Sequence, residues 1–340
     1  MTAAPASLSL ERLGWDEFFA AQLSAAERLE ALPGRVFAVQ RSSVTVVVEG
    51  GSIEAAVGGR WFQLDAEARP TIGDWLLLDG GSRQINRLLE RKSLLKRVAV
   101  GREREVQLLA ANVDTVFLVT ACNEEFNPSR LERYLALALH AGVKPVVVLS
   151  KADLAAEPES YLTRARTLKD GLAVELVDAR DPDSLAGVRG WCRPGRTVAL
   201  LGSSGVGKST LVNTLSGAQV QLTRESRQAD EKGRHTTTGR SLHVLPDGGL
   251  LVDNPGMREL SLADVDLPGG RLFDDIESLA RHCRFRDCRH EAEPGCAVRA
   301  ALESGDLEAR RVDSYRKLTG EQAQRKQQRP PKPTYSRSRR

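Results

Sequence analysis

The run Thr197-Val198-Ala199-Leu200-Leu201 leads into Gly202-Ser203-Ser204-Gly205-Val206-Gly207-Lys208-Ser209-Thr210, and helical spacing begins at Lys208. No other feature constrains the fold as tightly. The pattern G-x(4)-G-K-[ST] between a strand and a helix is a phosphate-binding loop, in which glycines let successive backbone amides turn toward an anion. The helix that starts at Lys208 adds the positive end of its dipole. Lys208 is placed to reach the β and γ phosphates of a nucleotide, and Ser209 to ligate magnesium.

The surrounding sequence supplies the sheet such a loop needs. Strands are predicted at 114–120, 144–150, 173–178 and 197–201, with helices around 129–141 and 157–170 and from 208 onward. A strand pair follows at 241–245 and 249–253. Continuous apolar runs such as Val113 to Val119 and Pro145 to Leu149 suit a parallel sheet covered on both faces. The fold class is therefore α/β, with a nucleotide-binding layout.

Phosphate binding alone does not choose the base. Asp253-Asn254-Pro255-Gly256 ends the last strand and resembles the D-x-P-G of GTPases, where the aspartate holds the magnesium shell and the glycine amide senses the γ phosphate. Between it and the phosphate loop lies the polar stretch Gly233-Arg234-His235-Thr236-Thr237-Thr238, suited to a switch in which Thr237 or Thr238 completes the magnesium coordination. Ser150-Lys151-Ala152-Asp153 follows the strand at 144–150 and resembles the N-K-x-D of GTPases, with Asp153 accepting two hydrogen bonds from a guanine edge and Lys151 covering the base. Adenine lacks that pair of donors, and Asp153 left unpaired against it costs about 1–3 kcal/mol. Ser150 stands where N-K-x-D has asparagine, so an amide that ties the base to the phosphate loop is lost; affinity is expected to fall while specificity survives. Val177-Asp178-Ala179 is the candidate base-packing loop, although it departs from the common Ser-Ala.

Other regions carry different signals. Residues 1–32 contain a short amphipathic helical stretch near 15–29, expected to end at Pro33-Gly34, and read as an extension. From 33 to 98, five short β-rich runs at 35–40, 43–48, 52–57, 74–78 and 84–89 are punctuated by Gly-Gly, Gly-Asp and Asp-Gly, which fits a small OB-type barrel. Trp61, Phe62 and Trp75 are its candidate stacking surfaces for RNA, with Arg91, Lys92, Lys96, Arg97, Arg102 and Arg104 adding positive charge. A purely structural barrel fits the same pattern.

Three of the five cysteines fall within Cys283-x(4)-Cys288-x-His290-x(5)-Cys296, a spacing that suits a closed, structural zinc site in a module at 263–318. The tail, 319–340, gathers Arg325, Lys326, Arg329, Lys332, Arg337, Arg339 and Arg340, a composition expected to remain disordered and to suit phosphate backbones. The formal charge of +4 averages over this uneven distribution. No run approaches the roughly 20 apolar residues of a membrane span, and Glu11, Asp16 and Glu17 sit where a signal peptide would be basic then apolar. A cytoplasmic monomer with no membrane partner is expected.

The base-reading motif precedes the phosphate loop, the reverse of the ordinary GTPase order, so the nucleotide domain at 106–262 reads as circularly permuted. With that order, Gly-Arg-His-Thr-Thr-Thr at 233–238 and Glu293-Pro294-Gly295-Cys296, the chain resembles the ribosome small-subunit-dependent GTPase family (RsgA, YjeQ or YloQ). The resemblance implies an OB domain, a permuted GTPase domain and a mainly helical zinc domain. It further implies binding to the small ribosomal subunit and its ribosomal RNA, and a part in that subunit's late maturation. GTP is hydrolysed to GDP with magnesium as a timing switch, stimulated by the subunit. Met257 stands just after the Asp253 motif, where many GTPases have a water-orienting glutamine, so intrinsic hydrolysis should be slow and His235 is the candidate to orient the water. The alternative is a non-enzymatic RNA-binding assembly factor with a degenerate nucleotide site.

Overall fold

A computed structural model describes residues 8–98, 106–217, 241–253 and 272–327. It forms two compact units, Met1–Val265 and Asp266–Arg340. The first unit is organised by an eleven-stranded sheet. Its strands are β1 (Ala31–Val39), β2 (Ser43–Val48), β3 (Gly51–Ala56), β4 (Trp75–Asp79), β5 (Ile85–Leu88), β8 (Thr115–Ala121), β9 (Lys144–Ser150), β10 (Ala173–Leu176), β11 (Thr197–Leu201), β12 (Ser241–Val244) and β13 (Leu250–Asp253). A separate two-stranded sheet pairs β6 (Leu94–Val98) with β7 (Val106–Ala111).

The nucleotide half runs in the order β10-β9-β8-β11-β13-β12. The first five are parallel, and β12 joins β13 antiparallel. All seven residues of β8 and all five of β11 are buried, as runs enclosed on both faces must be. The helices Pro128–His140 and Lys208–Ser216 turn Leu131, Leu135, Leu211 and Leu215 inward. Each such side chain contributes about 1.5–3 kcal/mol on full burial. The mixed, mostly parallel sheet fits the sequence expectation.

β1–β5 are antiparallel, with β1 between β2 and β4. One apolar cluster gathers Val36, Val46, Trp61, Leu76 and Leu78; another places Leu8, Leu13 and Phe19 against Trp75, Leu77 and Leu89. Residues 8–32 thus complete a core. The expected helix at 15–29 is two helices, Glu17–Ala20 and Ala25–Glu30, the second started by a Ser24–Glu27 capping box. The chain does not turn at Pro33-Gly34. β1 passes through both, because Pro33 pairs with Leu77 of β4 while pairing with β2 begins only at Gly34, so the position lacking an N–H lies where one side has no strand.

Among the described residues the two halves share their sheet through the antiparallel pair Ala38 with Ser241. Below it, the buried Arg35 guanidinium donates to Gly73 O at 3.2 Å, Asn112 O at 3.0 Å, Thr197 Oγ1 at 2.8 Å and Leu13 O. Burial lowers its pKa to about 10, which leaves it charged at neutral pH. Thr197 is the first residue of β11, so this clamp braces the strand that carries the phosphate loop.

Three expected basic contributors are committed locally. Arg91 forks onto the buried Asp74 at 2.7 Å, Lys96 meets Glu67 at 2.6 Å and Lys92 meets Asp16. Arg97 bonds Gln107, while Arg102 and Arg104 lie outside the described residues. Trp61 and Trp75 are core, and Phe62 alone of the three aromatics is exposed, at 50%. Among the described residues no helix is long and apolar enough to cross a membrane.

Candidate nucleotide and metal sites

The phosphate loop leaves the carboxyl end of β11 at Gly202, where an added Cβ would stand 2.3 Å from the backbone oxygen of Val119 on β8. Only glycine permits that approach. Gly207, at φ +93°, occupies the N-cap of Lys208–Ser216, a left-handed conformation that branched residues avoid. Lys208 is buried, and its Nζ donates to Gly202 O at 2.7 Å and to Ser203 O, so the loop is wrapped around the ammonium. Ser204, Gly205 and Val206 complete the turn, and Ser209 and Thr210 occupy the first helical turn. Glu125, after β8, accepts from Ser203 Oγ at 3.1 Å, a carboxylate neighbour that sequence spacing gave no way to foresee.

The base-reading segment leaves the carboxyl end of β9, on the same edge of the parallel sheet as the phosphate loop, which is where open α/β sheets hold ligands. Ser150 is fully buried. Its hydroxyl donates to Val206 O at 2.5 Å, with Thr120 O at 3.2 Å as a second acceptor. Ser150 lacks the amide that asparagine would offer the base, yet the base-reading segment stays tied to the phosphate loop through this hydroxyl. A shorter side chain makes the link because the two loops approach closely enough for one oxygen to span them.

Lys151 adopts φ +57°, turning the chain into a short 3-10 helix, Ala152–Leu154, that carries Asp153. Ala152 N donates to Val177 O at 3.2 Å, and Thr214 Oγ1 to Ala179 O at 2.7 Å. The loop at 177–179 is thereby fixed against both the base-reading segment and the helix Lys208–Ser216. Sequence reading missed its next residue: Arg180 Nη2 donates to Asp153 Oδ2 at 2.9 Å, and that bond raises the arginine's pKa.

Asp253 ends β13, one position past the Ala199–Val252 pairing with β11, which brings it level with the approach to the phosphate loop. The switch expectations His235, Thr237 and Thr238, together with Gly256 and Met257, lie outside the described residues.

In the second unit, Cys283, Cys288, His290 and Cys296 place their ligand atoms within 4.8 Å of one another. The three edges among Cys283, His290 and Cys296 match those of a tetrahedral site. With metal–sulfur and metal–nitrogen bonds of about 2.3 and 2.0–2.1 Å, sulfur pairs should stand about 3.8 Å apart and sulfur–nitrogen pairs about 3.5 Å. Cys283 Sγ to Cys296 Sγ is 3.8 Å, Cys283 Sγ to His290 Nδ1 is 3.5 Å, and His290 Nδ1 to Cys296 Sγ is 3.4 Å. Burial lowers the His290 pKa, favouring the neutral ring a metal requires. Cys296 caps the helix Ala297–Ser304, its Sγ accepting from the Arg299 N–H at 3.4 Å. Glu293 accepts from the N–H groups of Arg289, Glu291 and Ala292, shaping the loop between the last two ligands. The other cysteines, Cys122 and Cys192, are core residues whose thiols burial pushes up to about 11 and about 12.

Comparison with known proteins agrees with this arrangement. A profile described as RsgA GTPase matches residues 88–263. The chain is 49% identical over 315 residues to the small ribosomal subunit biogenesis GTPase RsgA 2 of Vibrio vulnificus, covering 93% of this chain and 88% of that protein. It is 46% identical over 318 residues to the small ribosomal subunit biogenesis GTPase RsgA of Mesorhizobium japonicum, covering 93% and 90%. Among solved structures, YjeQ from Thermotoga maritima aligns with a TM-score of 0.64 at 25% identity, over 86% of this chain and 99% of that one. YloQ, a circularly permuted GTPase, shares the fold with a TM-score of 0.61 at 24% identity, over 87% and 96%. A family profile matching residues 88–263 and relatives 46–49% identical over most of their own length settle the grouping: the chain belongs to the RsgA GTPase family.

Proposed function

We propose that this chain binds the small ribosomal subunit and hydrolyses GTP there as a timing switch late in the subunit's maturation. The observation that carries the nucleotide part is the Ser150–Val206 hydrogen bond, which joins the base-reading and phosphate-binding segments of the permuted chain. On this reading Asp153 takes the guanine edge, Lys151 covers the base, and residues Gly202 to Thr210 wrap the phosphates. Lys208 exchanges its backbone carbonyl partners for β and γ oxygens. Magnesium, held through Ser209, Asp253 and Thr237 or Thr238, would neutralise charge developing on the phosphates. His235 orients the attacking water, and the Gly256 amide senses the γ phosphate.

The subunit assignment draws on the names of the relatives, which are small ribosomal subunit biogenesis GTPases. We assign residues 33–98 as an OB barrel and 106–262 as the GTPase domain. Cys283, Cys288, His290 and Cys296, within 263–318, hold one structural zinc; their convergence and the edges among Cys283, His290 and Cys296 support this. All four positions are filled by protein, so the metal stabilises the module and takes no part in hydrolysis. Ribosomal RNA is met by the barrel, where Phe62 offers the exposed aromatic, and by the basic segment 319–340. The protein works as a cytoplasmic monomer.

The test is phosphate release from GTP with and without purified small subunits, using ATP as control. Slow turnover alone, strong stimulation by subunits and no turnover of ATP are expected. No release under either condition, or equal use of ATP, would overturn the proposal.

A further inference from the structure

Arg180 presents to Asp153 the same chemistry that guanine would. A guanidinium and the guanine edge, N1–H with the 2-amino group, each offer adjacent in-plane N–H donors to one carboxylate. Arg180 Nη2 already donates to Asp153 Oδ2 at 2.9 Å. The same arginine has a second anchor. Its Nε stands 3.7 Å from Asp178 Oδ1, and its backbone N–H donates to that oxygen at 2.9 Å. Asp178 in turn is held by its own N–H to Ser184 Oγ at 2.9 Å. The arginine side chain remains 64% exposed, free of packing that would fix it on either carboxylate.

We propose that Arg180 is an internal competitor for the base-reading carboxylate: it holds Asp153 until guanine arrives, passes to Asp178 while guanine is bound, and recaptures Asp153 as the nucleotide leaves. The inference rests on the guanine reading of Asp153 given above. Its consequence is weaker binding and faster exchange of guanine nucleotides than the phosphate loop and Asp153 alone would give. An exposed ion pair is worth little, so the effect is modest: removing the arginine should tighten GDP about 2- to 5-fold. Loss of a positive charge near a polyphosphate acts the other way, and a control must separate the two.

A double-mutant cycle with fluorescent nucleotides supplies that control. Asp153→Asn replaces the carboxylate by an amide and matches xanthine, whose 2-oxo group takes the place of the guanine 2-amino group. Arg180→Ala in the native background should lower the GDP dissociation constant 2- to 5-fold, and slow GDP release in step. In the Asp153→Asn background the same substitution should leave xanthosine diphosphate binding unchanged or slightly weaker. Unchanged or weaker GDP binding by Arg180→Ala overturns the inference, as does equal tightening in both backgrounds. If the unsubstituted protein binds neither GDP nor GTP, the guanine reading itself falls and takes this inference with it.

Discussion

Ser150→Ala deletes one oxygen and almost no volume, yet it should loosen the nucleotide site. The hydroxyl is fully buried and is shared between Val206 O at 2.5 Å and Thr120 O at 3.2 Å. A typical buried hydrogen bond is worth about 0.5–1.5 kcal/mol net, and an acceptor left unsatisfied costs about 1–3 kcal/mol. Thr120 O has only the longer contact, so the loss centres on Val206 and should total about 1–2 kcal/mol. If the bond sets the separation of the two loops, most of that loss appears as a fall in GDP affinity of about 3- to 10-fold. The remainder appears as a drop in Tm of about 1–2 °C, at about 2–4 °C per kcal/mol for a unit of this size. Fluorescent GDP titration with parallel thermal unfolding separates the two. Ser150→Asn should not improve on the native residue, since Ser150 Oγ already stands 3.4 Å from where a Cβ on Gly207 would lie. Native affinity and native Tm in Ser150→Ala would refute the claim that this hydroxyl joins the loops.

Metal analysis should find one zinc per chain, lost in Cys296→Ser, with residues 272–327 becoming sensitive to protease after chelation; a metal-free protein with a protease-resistant second unit would contradict the assignment. Arg35→Met strips the donor from Leu13, Gly73, Asn112 and Thr197 together and should cost at least about 3 kcal/mol in urea unfolding, whereas a loss under about 1 kcal/mol would show the clamp to be dispensable. The Arg87 guanidinium, followed by the Ser24 N–H, holds the Glu27 carboxyl at about 2, against an ordinary value of 4.5. A depressed acid stabilises above its unfolded pKa and loses that contribution as pH falls through the folded one. The Tm gap between native protein and Glu27→Gln should therefore be widest above pH 4.5 and close toward pH 2, and a gap independent of pH would contradict it.

The centre of the parallel half was legible almost to the residue because β8, β9 and β11 are largely apolar, buried runs. The expected strands at 144–150 and 197–201 coincide with β9 and β11, and 114–120 is displaced from β8 by one residue. Motif positions were legible for the same reason, since glycine and lysine in the phosphate loop and the close cysteine spacing express local geometry. What spacing hides is long-range pairing. Proline at 33 reads as a strand end unless one knows that β2 pairing starts only at Gly34. Trp75 offers no sign of whether it faces a ligand or Leu13 and Phe19. Arg91 looks like free positive charge until Asp74, seventeen positions earlier, is found beneath it. The Ser150–Val206 bond spans 56 positions, so local spacing gives no sign that this hydroxyl joins the two loops.

The central claim, that one nucleotide is read at its base by Asp153 and gripped at its phosphates by the Lys208 loop, is tested most directly by moving the base specificity alone. Guanine and xanthine diphosphates should be titrated against native protein and Asp153→Asn. The account predicts that the substitution weakens GDP by about 5- to 150-fold, the equivalent of about 1–3 kcal/mol, and brings in xanthosine diphosphate with the phosphate loop unchanged. Native GDP affinity in Asp153→Asn, with no gain for xanthine, would contradict it.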